Sequence, residues 1–389
     1  MPAARATSLA ATGSGARLAS LGFAVERQPI AAVAITEAEP QLRVGSARAE
    51  VAVHCLGAPG TYPAETRPLS VWGAPEVTAP VPRGAIVVAH LPSQRWSSAL
   101  HPIVRETVTH AFDAGASALV LVTHGPSGDL IHLNRTREAG SQDGPIALMA
   151  PRDWAGLQPA LVPNPTGTVS LNARAIERPA FNVVARIDRG AARWLVVSTP
   201  RSGWGPCVGE RGPGIAAFLE LARWAPQRFP RFNLAFVCTS SHEFENAGGA
   251  AFLESGAPTP DSTALWLHLG AGFAARDWHE VGRRLLPLPA PTHNAFLVAT
   301  APFVEQARAA FSGVAGLEAA YEASQGAAGE LQNVITAGYG AVIGMFGAHR
   351  FHHTAQDDLR CVDPVHSIDA ITRLKRLLEA SIPADRRPS

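Results

Sequence analysis

The stretch that determines the fold runs from Trp194 to Glu254. It begins WLVVSTPRSGWGPCVGERGPGIAAFLELARW and, after a short break, continues FNLAFVCTSSHEFENAGGAAFLE. An apolar run (Trp194–Val197) precedes a loop rich in glycine and proline, then a helical pattern, then a second apolar run (Leu234–Cys238). This order predicts a strand, a loop, a helix and a second strand, which together form a βαβ unit of an α/β sheet.

Polar residues follow both predicted strands, in the clusters 199–210 and 240–245. In open α/β sheets, ligands bind outside the carboxyl ends of the strands. The sequence therefore predicts that the functional site lies at this edge of the sheet.

Composition narrows the class of protein. The chain has 389 residues, 47% of them hydrophobic, and a net charge of +1, which provides no basic surface for nucleic acid or anionic membrane. No run approaches the roughly 18 apolar residues of a transmembrane helix, and no signal peptide is evident. The four cysteines lack CxxC spacing, so a disulfide framework is not expected. These features predict a cytoplasmic protein that acts on a small molecule or short peptide, and they are compatible with a homodimer.

Residues 50–165 differ from the rest of the chain in composition, with frequent proline, glycine and histidine and short apolar runs. The apolar runs Ala85–His90 and Ala118–Val122 flank an amphipathic pattern over Ile103–Ala114, which predicts a small α/β module. PRGAIVVAHL followed by a helix and AGASALVLVTH resembles the protease-associated domain, which is inserted into several peptidase families. That resemblance implies a domain that shapes access to a site and does no chemistry. A generic flavodoxin-like fragment is the alternative.

After about residue 179 the strand patterns resume. FNVVARIDRG and RWLVVSTP predict a β-hairpin that turns at Asp188–Gly190. Further strands are predicted over Ala264–Leu269, Phe296–Thr300 and Gly340–Phe346. Together these patterns predict an α/β fold whose mixed, mostly parallel central sheet is flanked by helices, with a smaller inserted α/β domain.

Five residues at predicted strand ends carry side chains typical of metal ligands: Glu210, His242, Glu243, His268 and His353. A catalytic zinc ion needs about three protein ligands and a water molecule, and a neighbouring base takes the proton of that water. Neither HExxH nor HxH occurs, so spacing alone leaves open both a metal site and a chance collection of polar residues.

The segments GERGPGIAAFLELAR, FVCTSSHEFENAGGAAFLE, ALWLHLG and FHHTAQDDLRCVDP occur in this order between residues 180 and 389. In order and spacing they resemble the zinc aminopeptidase family, which includes the bacterial leucyl and streptomycete aminopeptidases and also contains the glutaminyl cyclases. LASLGFAVERQPI is similar to the family's opening. The resemblance implies a catalytic domain formed by residues 1–48 plus 172–389, with residues 49–171 inserted.

The resemblance also implies an altered metal site. Thr199 stands where the family has its first histidine ligand, so a two-metal site loses one half. The implied ligands of the other half are Glu210, Glu243 and His353, with His268 as a further candidate. This set implies one divalent ion, zinc in the first instance, with manganese or iron as alternatives.

His242 stands where the family has its catalytic glutamate. An unperturbed imidazole titrates at a pKa of about 6.5, so His242 is the predicted catalytic base. The alternatives are a fourth metal ligand, or a neutral hydrogen-bonded residue in an inactive site.

Three arginines are candidates for binding a substrate carboxylate by bidentate pairing: Arg201, Arg211 and Arg350. The alternative is that they are exposed or pair with Glu210 and Glu245.

These residues predict a metal-dependent hydrolase of aminopeptidase type, which cleaves an amide C–N bond in a small molecule or short peptide through a water activated by a single metal. Because the two-metal pair is incomplete, ordinary aminopeptidase activity is not expected. Two alternatives are a cyclase or acyl-transfer activity like that of glutaminyl cyclases, and a metal-free binding module.

Overall fold

The computed structural model describes residues 13–37, 40–54, 61–62, 65–73, 81–135, 144–282 and 284–382. The helices are α1 (13–20), α2 (Pro102–Asp113), α3 (Pro151–Leu157), α4 (Val208–Arg228), α5 (Ala247–Ser255), α6 (Ala301–Ala310), α7 (Gly329–Thr336) and α8 (Pro364–Ser381). Short 3₁₀ helices span Gln158–Ala160, Pro260–Ser262, Ala323–Gln325 and Leu359–Cys361.

Strands β1 to β9 are Ala24–Glu37, Gln41–Val44, Ala47–Glu50, Ala52–His54, Thr61–Tyr62, Arg67–Trp72, Ile86–His90, Ala118–Val122 and Ile146–Met149. Strands β10 to β18 are Thr166–Ile187, Trp194–Pro200, Asn233–Thr239, Thr263–Leu269, Arg276–Val281, Arg284–Pro291, Ala295–Ala299, Tyr321–Glu322 and Val342–Gly347.

The main sheet has the order β17-β16-β18-β13-β11-β12-β10-β1. Its centre is parallel from β12 through β11 and β13 to β18. Antiparallel pairs join β10 to β12, β1 to β10 and β16 to β18. The predicted α/β class, with a mixed and mostly parallel sheet between helices, is confirmed.

Side chains of β12 show why this segment forms the centre of the sheet. Leu234, Phe236 and Cys238 pack on one face with α4, α6 and α8, whereas Ala235 and Val237 pack on the other face with α5 and α7. A strand covered on both faces is apolar throughout instead of alternating, which is the pattern read in the sequence.

The predicted hairpin between FNVVARIDRG and RWLVVSTP is wrong, because β12 lies between β10 and β11. The side chain of Asn233 explains the connection. Its amide oxygen accepts the backbone N–H groups of Arg189 and Ala191, and its amide nitrogen donates to the carbonyl of Ala191. The loop between β10 and β11 is thus anchored to Asn233, the first residue of β12. A hairpin would instead have required β10 and β11 to be direct neighbours.

Through β10 the sheet continues into the inserted part, in the order β6-β7-β8-β9-β4, with α2 on one face and α3 on the other. The 22-residue strand β10 runs from this part into the main sheet. The predicted boundary between residues 171 and 172 therefore lies within β10. Leu42 and Val44, which were assigned to the catalytic domain, pack in a core of the inserted part. The resemblance of this part to the protease-associated domain stays a prediction.

Among the described residues, no helix combines the length and the apolar character needed to span a membrane.

Candidate functional site

A cavity of about 600 Å³ opens at the carboxyl edge of the main sheet. Four of the predicted site residues contribute to its wall, namely Glu210, His242, His268 and His353, and so does His352. The prediction that the strand ends converge on one site is therefore met by the positions of these side chains.

The first turn of α4 is fixed by Asp357. Its two carboxylate oxygens accept the backbone N–H groups of Gly209 at 2.6 Å and Glu210 at 2.9 Å. Only glycine fits at position 209, since a Cβ on Gly209 would lie 2.8 Å from Oδ1 of Asp357 and 2.8 Å from Nε2 of His349. This anchor determines where the side chain of Glu210 enters the cavity.

Asp357→Asn is expected to lower the free energy of unfolding by about 1–3 kcal/mol, since it removes a buried charge-assisted hydrogen bond and turns an amide N–H toward a backbone donor. Urea unfolding measures the change. Asp358→Asn, at the neighbouring, partly exposed position where the carboxylate pairs with Arg360, is the control and is expected to cost no more than about 1 kcal/mol. Equal stability of both variants would contradict the anchoring role.

Glu210, His352 and His353 form a buried group with ligand atoms within 4.8 Å of one another. Oε1 of Glu210 lies 2.8 Å from Nη2 of Arg211 as an ion pair without hydrogen-bond geometry, and Oε2 has no hydrogen-bond partner. Nδ1 of His353 lies 2.8 Å from the carbonyl oxygen of His132, so it carries the proton and donates it there. Nε2 of His353 lies 3.3 Å from Oε1 of Glu210, and in the Nδ1–H tautomer of the neutral ring it offers a lone pair there.

Electrostatics keep Glu210 ionised. Burial alone would raise its pKa, but the charge of the Arg211 guanidinium outweighs that effect and holds the pKa well below the usual range. Burial lowers the pKa of His352 well below its ordinary value, which favours the neutral imidazole. One carboxylate and two imidazoles are the donor set of a zinc-type ion.

Arg211 is buried between the two acidic residues that were predicted to be ligands. Its Nη2 lies 2.8 Å from Oε1 of Glu210 and 3.1 Å from Oε1 of Glu243. Its Nε donates to the carbonyl of Ser202. Glu243 therefore faces a guanidinium and, among the described residues, is not a member of the group around His353. Arg211, predicted to bind substrate, instead pairs with Glu210, as the alternative interpretation held.

His242 is joined to a glutamate that the sequence did not reveal. Its Nδ1 lies 3.3 Å from Oε1 of Glu330, which also accepts the hydroxyl of Thr239 at 2.7 Å. Burial alone would raise the pKa of Glu330, but the hydrogen bond from His242 lowers it, so the carboxylate is ionised. Gly329 has a φ of +53°, and a Cβ there would lie only 3.1 Å from Cε1 of His242.

His268 is buried beside a different polar pair. Its Nδ1 lies 2.9 Å from the hydroxyl of Ser198, which also accepts Nε1–H of Trp266 at 2.8 Å. Its Nε2 has no hydrogen-bond partner. Burial lowers the pKa of His268 to about 4. Thr199, at the position of the family's first ligand, donates to the carbonyl of Leu269 at 2.8 Å and so has a structural contact.

The two other predicted substrate-binding arginines do not line the cavity. Arg201 is buried, donates to the carbonyl of Phe181 and lies over that residue's ring at 5.0 Å. Arg350 pairs with Glu280 on β14. The arginine in the cavity wall is Arg135, from the inserted part. No sequence pattern singled this residue out.

The inserted part contacts the loops of the site directly. The backbone N–H of His132 donates to the carbonyl of His353, and that of Arg135 donates to the carbonyl of Glu243. Nε1 of Trp204 donates to the side chain of Asn134, and the guanidinium of Arg135 lies 5.3 Å from the Trp204 ring. The segment 132–135 therefore forms one wall of the cavity and orients His353.

The backbone is strained around the same cavity. Among the described residues, six other than glycine have positive φ, and five of these flank the site: Cys207, Ser241, Glu245, Asn246 and His353. Such conformations cost about 1–3 kcal/mol each and concentrate at functional sites.

The fold is that of solved zinc aminopeptidases. A zinc aminopeptidase from Bacillus subtilis matches 97% of this chain and 89% of its own with a TM-score of 0.71 at 14% identity. The peptidase M28 precursor from Shewanella amazonensis matches 98% and 90% with a TM-score of 0.70 at 16% identity. An aminopeptidase from Aneurinibacillus matches 98% and 92% with a TM-score of 0.65 at 15% identity.

Neither a protein-family profile nor a curated protein matches the sequence. At these identities the structural likeness establishes the fold, and the resemblance predicted from the sequence is confirmed at that level.

Proposed function

We propose, for a chain with the fold of the zinc aminopeptidases, a metal-dependent hydrolase that cleaves an amide C–N bond in a small molecule or short peptide. Glu210, His352 and His353 would hold one divalent ion, with zinc preferred by a donor set of one carboxylate and two imidazoles. Such an ion, when bound, polarises a carbonyl group and lowers the pKa of a water molecule.

The observation that carries the proposal is the buried group of Glu210, His352 and His353, whose ligand atoms lie within 4.8 Å of one another. Oε1 of Glu210 pairs in charge with Arg211, and Oε2 of this buried carboxylate has no hydrogen-bond partner, which is costly unless a further group such as a cation satisfies it. The donation from Nδ1 of His353 to the carbonyl of His132 leaves Nε2 as an acceptor beside that carboxylate. Hydrogen bonding of the second imidazole nitrogen to a carbonyl is how metal-binding histidines are commonly oriented.

The chain's own proton carrier would be His242. Because Nδ1 of His242 is directed at the ionised Glu330, that nitrogen carries the proton and Nε2 keeps the lone pair. Nε2 can then take a proton from a water molecule that attacks the amide and return it to the leaving amine. Glu330 is a positioning residue that fixes the tautomer and stabilises the imidazolium.

His242→Gln is expected to lower kcat by about 10² to 10⁴-fold, the usual contribution of general acid–base catalysis, and to leave metal content unchanged. Steady-state hydrolysis and elemental mass spectrometry measure the two quantities. His279→Gln, at an exposed position on β14, is the control and should keep full activity. A His242→Gln variant with wild-type kcat would exclude His242 as the base.

The proposal as a whole is tested by the metal content of the purified protein, followed by a screen of amides, N-acyl amino acids and dipeptides. About one equivalent of metal per chain with hydrolysis of a member of this set is expected. Absence of metal after zinc titration, with no turnover, would refute the proposal.

A metal-free binding module is the second candidate, and the position of Arg211 is the observation that favours it. The guanidinium already places a positive charge between Glu210 and Glu243. In this candidate the cavity binds a ligand without cleaving it, and the metal measurement separates the two.

A further inference from the structure

We propose that His268 presents a fixed Nε2–H donor to the cavity and is therefore not a metal ligand. The acceptor of this hydrogen bond is the carbonyl oxygen of the scissile amide. The identity of this acceptor rests on the proposed function, whereas the assignment of the donor rests on the hydrogen bonds of the side chain itself.

The tautomer follows from the partners of Ser198. The indole Nε1–H of Trp266 can only donate, so the Ser198 hydroxyl accepts from it. The hydroxyl must then donate its own proton to another acceptor. Its other hydrogen-bond contact is Nδ1 of His268, at 2.9 Å. Ser198 is buried, and leaving its proton without an acceptor would be costly. Nδ1 of His268 therefore accepts, and the ring proton resides on Nε2.

A nitrogen that carries a proton has no lone pair for a metal ion. Because Nδ1 is taken by Ser198 and Nε2 is protonated, neither nitrogen of His268 is available as a ligand. Consistent with this, the buried group around Glu210 comprises His352 and His353 and does not include His268.

The Nε2–H group is buried, lacks a partner and belongs to a residue of the cavity wall. A buried donor without a partner is costly, and a carbonyl oxygen in the cavity would satisfy it. Its ring is held at a tilt of 34° against Phe346, with centroids 5.5 Å apart, so the donor is oriented before a ligand arrives. A fixed donor of this kind stabilises the negative charge that develops on the oxygen during amide hydrolysis.

The test uses the full-length protein with ¹⁵N-labelled histidine. Long-range ¹H–¹⁵N correlation at pH 7 is expected to show His268, assigned with His268→Gln, as the neutral Nε2–H tautomer. Ser198→Ala removes the proton that Nδ1 accepts and is expected to yield a mixture of tautomers. His268→Ala is expected to retain the metal content of wild type and to lose about 10² to 10³-fold in kcat, the range for one oxyanion donor. His268→Gln, which keeps an N–H donor, should recover part of that loss.

An Nδ1–H tautomer in the wild type, or loss of metal from His268→Ala, would overturn the assignment. Should His268→Ala fail to fold, the tautomer shift in Ser198→Ala decides instead. Tautomer and metal content are both read without substrate. A protein that cleaves none of the amides screened would thus refute the proposed function, while these two measurements still decide the state of His268.

Discussion

His353→Ala is expected to lose its bound metal while the chain stays folded. The substitution removes one of three ligand side chains, the one whose orientation is set by the carbonyl of His132. Loss of an outer-shell partner alone costs about 10 to 100-fold in metal affinity, so loss of the ligand itself should exceed about 100-fold. Elemental mass spectrometry after dialysis, zinc titration and circular dichroism measure metal content, affinity and fold.

Glu243→Gln provides the matched comparison. The family resemblance implied that Glu243 is a metal ligand. In that case its replacement by alanine, like that of His353, would abolish metal retention. The structure directs its carboxylate at Arg211, 3.1 Å away, so Glu243→Gln is expected to keep the metal. Loss of metal from both variants would restore the ligand set inferred from the sequence. Retention by both would mean that no ion is held by His353.

The sequence predicted well those features that follow from local pattern. Apolar runs such as Leu234–Cys238 are strands because both faces are covered, and polar residues placed directly after parallel strands must meet at one edge of the sheet. Glu210, His242, His268 and His353 therefore converge as expected. The hairpin prediction was wrong because strands that are consecutive in sequence need not be neighbours in a sheet. No local feature of the sequence indicates that β12 lies between β10 and β11.

Residues brought to the site by tertiary contacts were missed. Glu330 lies on α7, outside the strand ends, and becomes significant only through its contact with His242. Arg135 comes from the inserted part, which was expected to shape access without contributing chemistry. His352 was not among the predicted site residues, although stacking of the two rings at 4.0 Å brings both His352 and His353 to Glu210.

Charge pairing was equally hard to foresee. A position next to Glu210 on a helix directs its side chain about 100° away, so Arg211 gave no sign that its guanidinium returns to that carboxylate. Glu243, which follows β12, lies 3.1 Å from the same guanidinium nitrogen. Sequence alone left both alternatives for Arg211 open, and its position between two acids distinguishes them.

Arg211→Met is expected to lower the free energy of unfolding of the metal-free protein by about 3–5 kcal/mol, the usual cost of removing one partner from a buried ion pair. The variant leaves the carboxylates of Glu210 and Glu243 buried without the guanidinium that neutralises them. Urea unfolding in the presence of a chelator measures this loss. Arg228→Met, which breaks the exposed pair with Glu379, is the control and should cost no more than about 1 kcal/mol.

Zinc is expected to restore much of the stability of Arg211→Met, because a divalent cation can replace the missing charge and because a ligand that binds only the folded state stabilises it. The carboxylate of Glu210, released from Arg211, no longer shares its charge with a guanidinium, so the variant should bind zinc more tightly than wild type. The comparison requires both proteins to be unfolded at the same free zinc concentration. A variant as stable as wild type without metal would show that the guanidinium does not neutralise these acids. A destabilised variant that zinc does not rescue would indicate that Arg211 is the permanent cation of a site without a metal, which is the arrangement expected of the binding module.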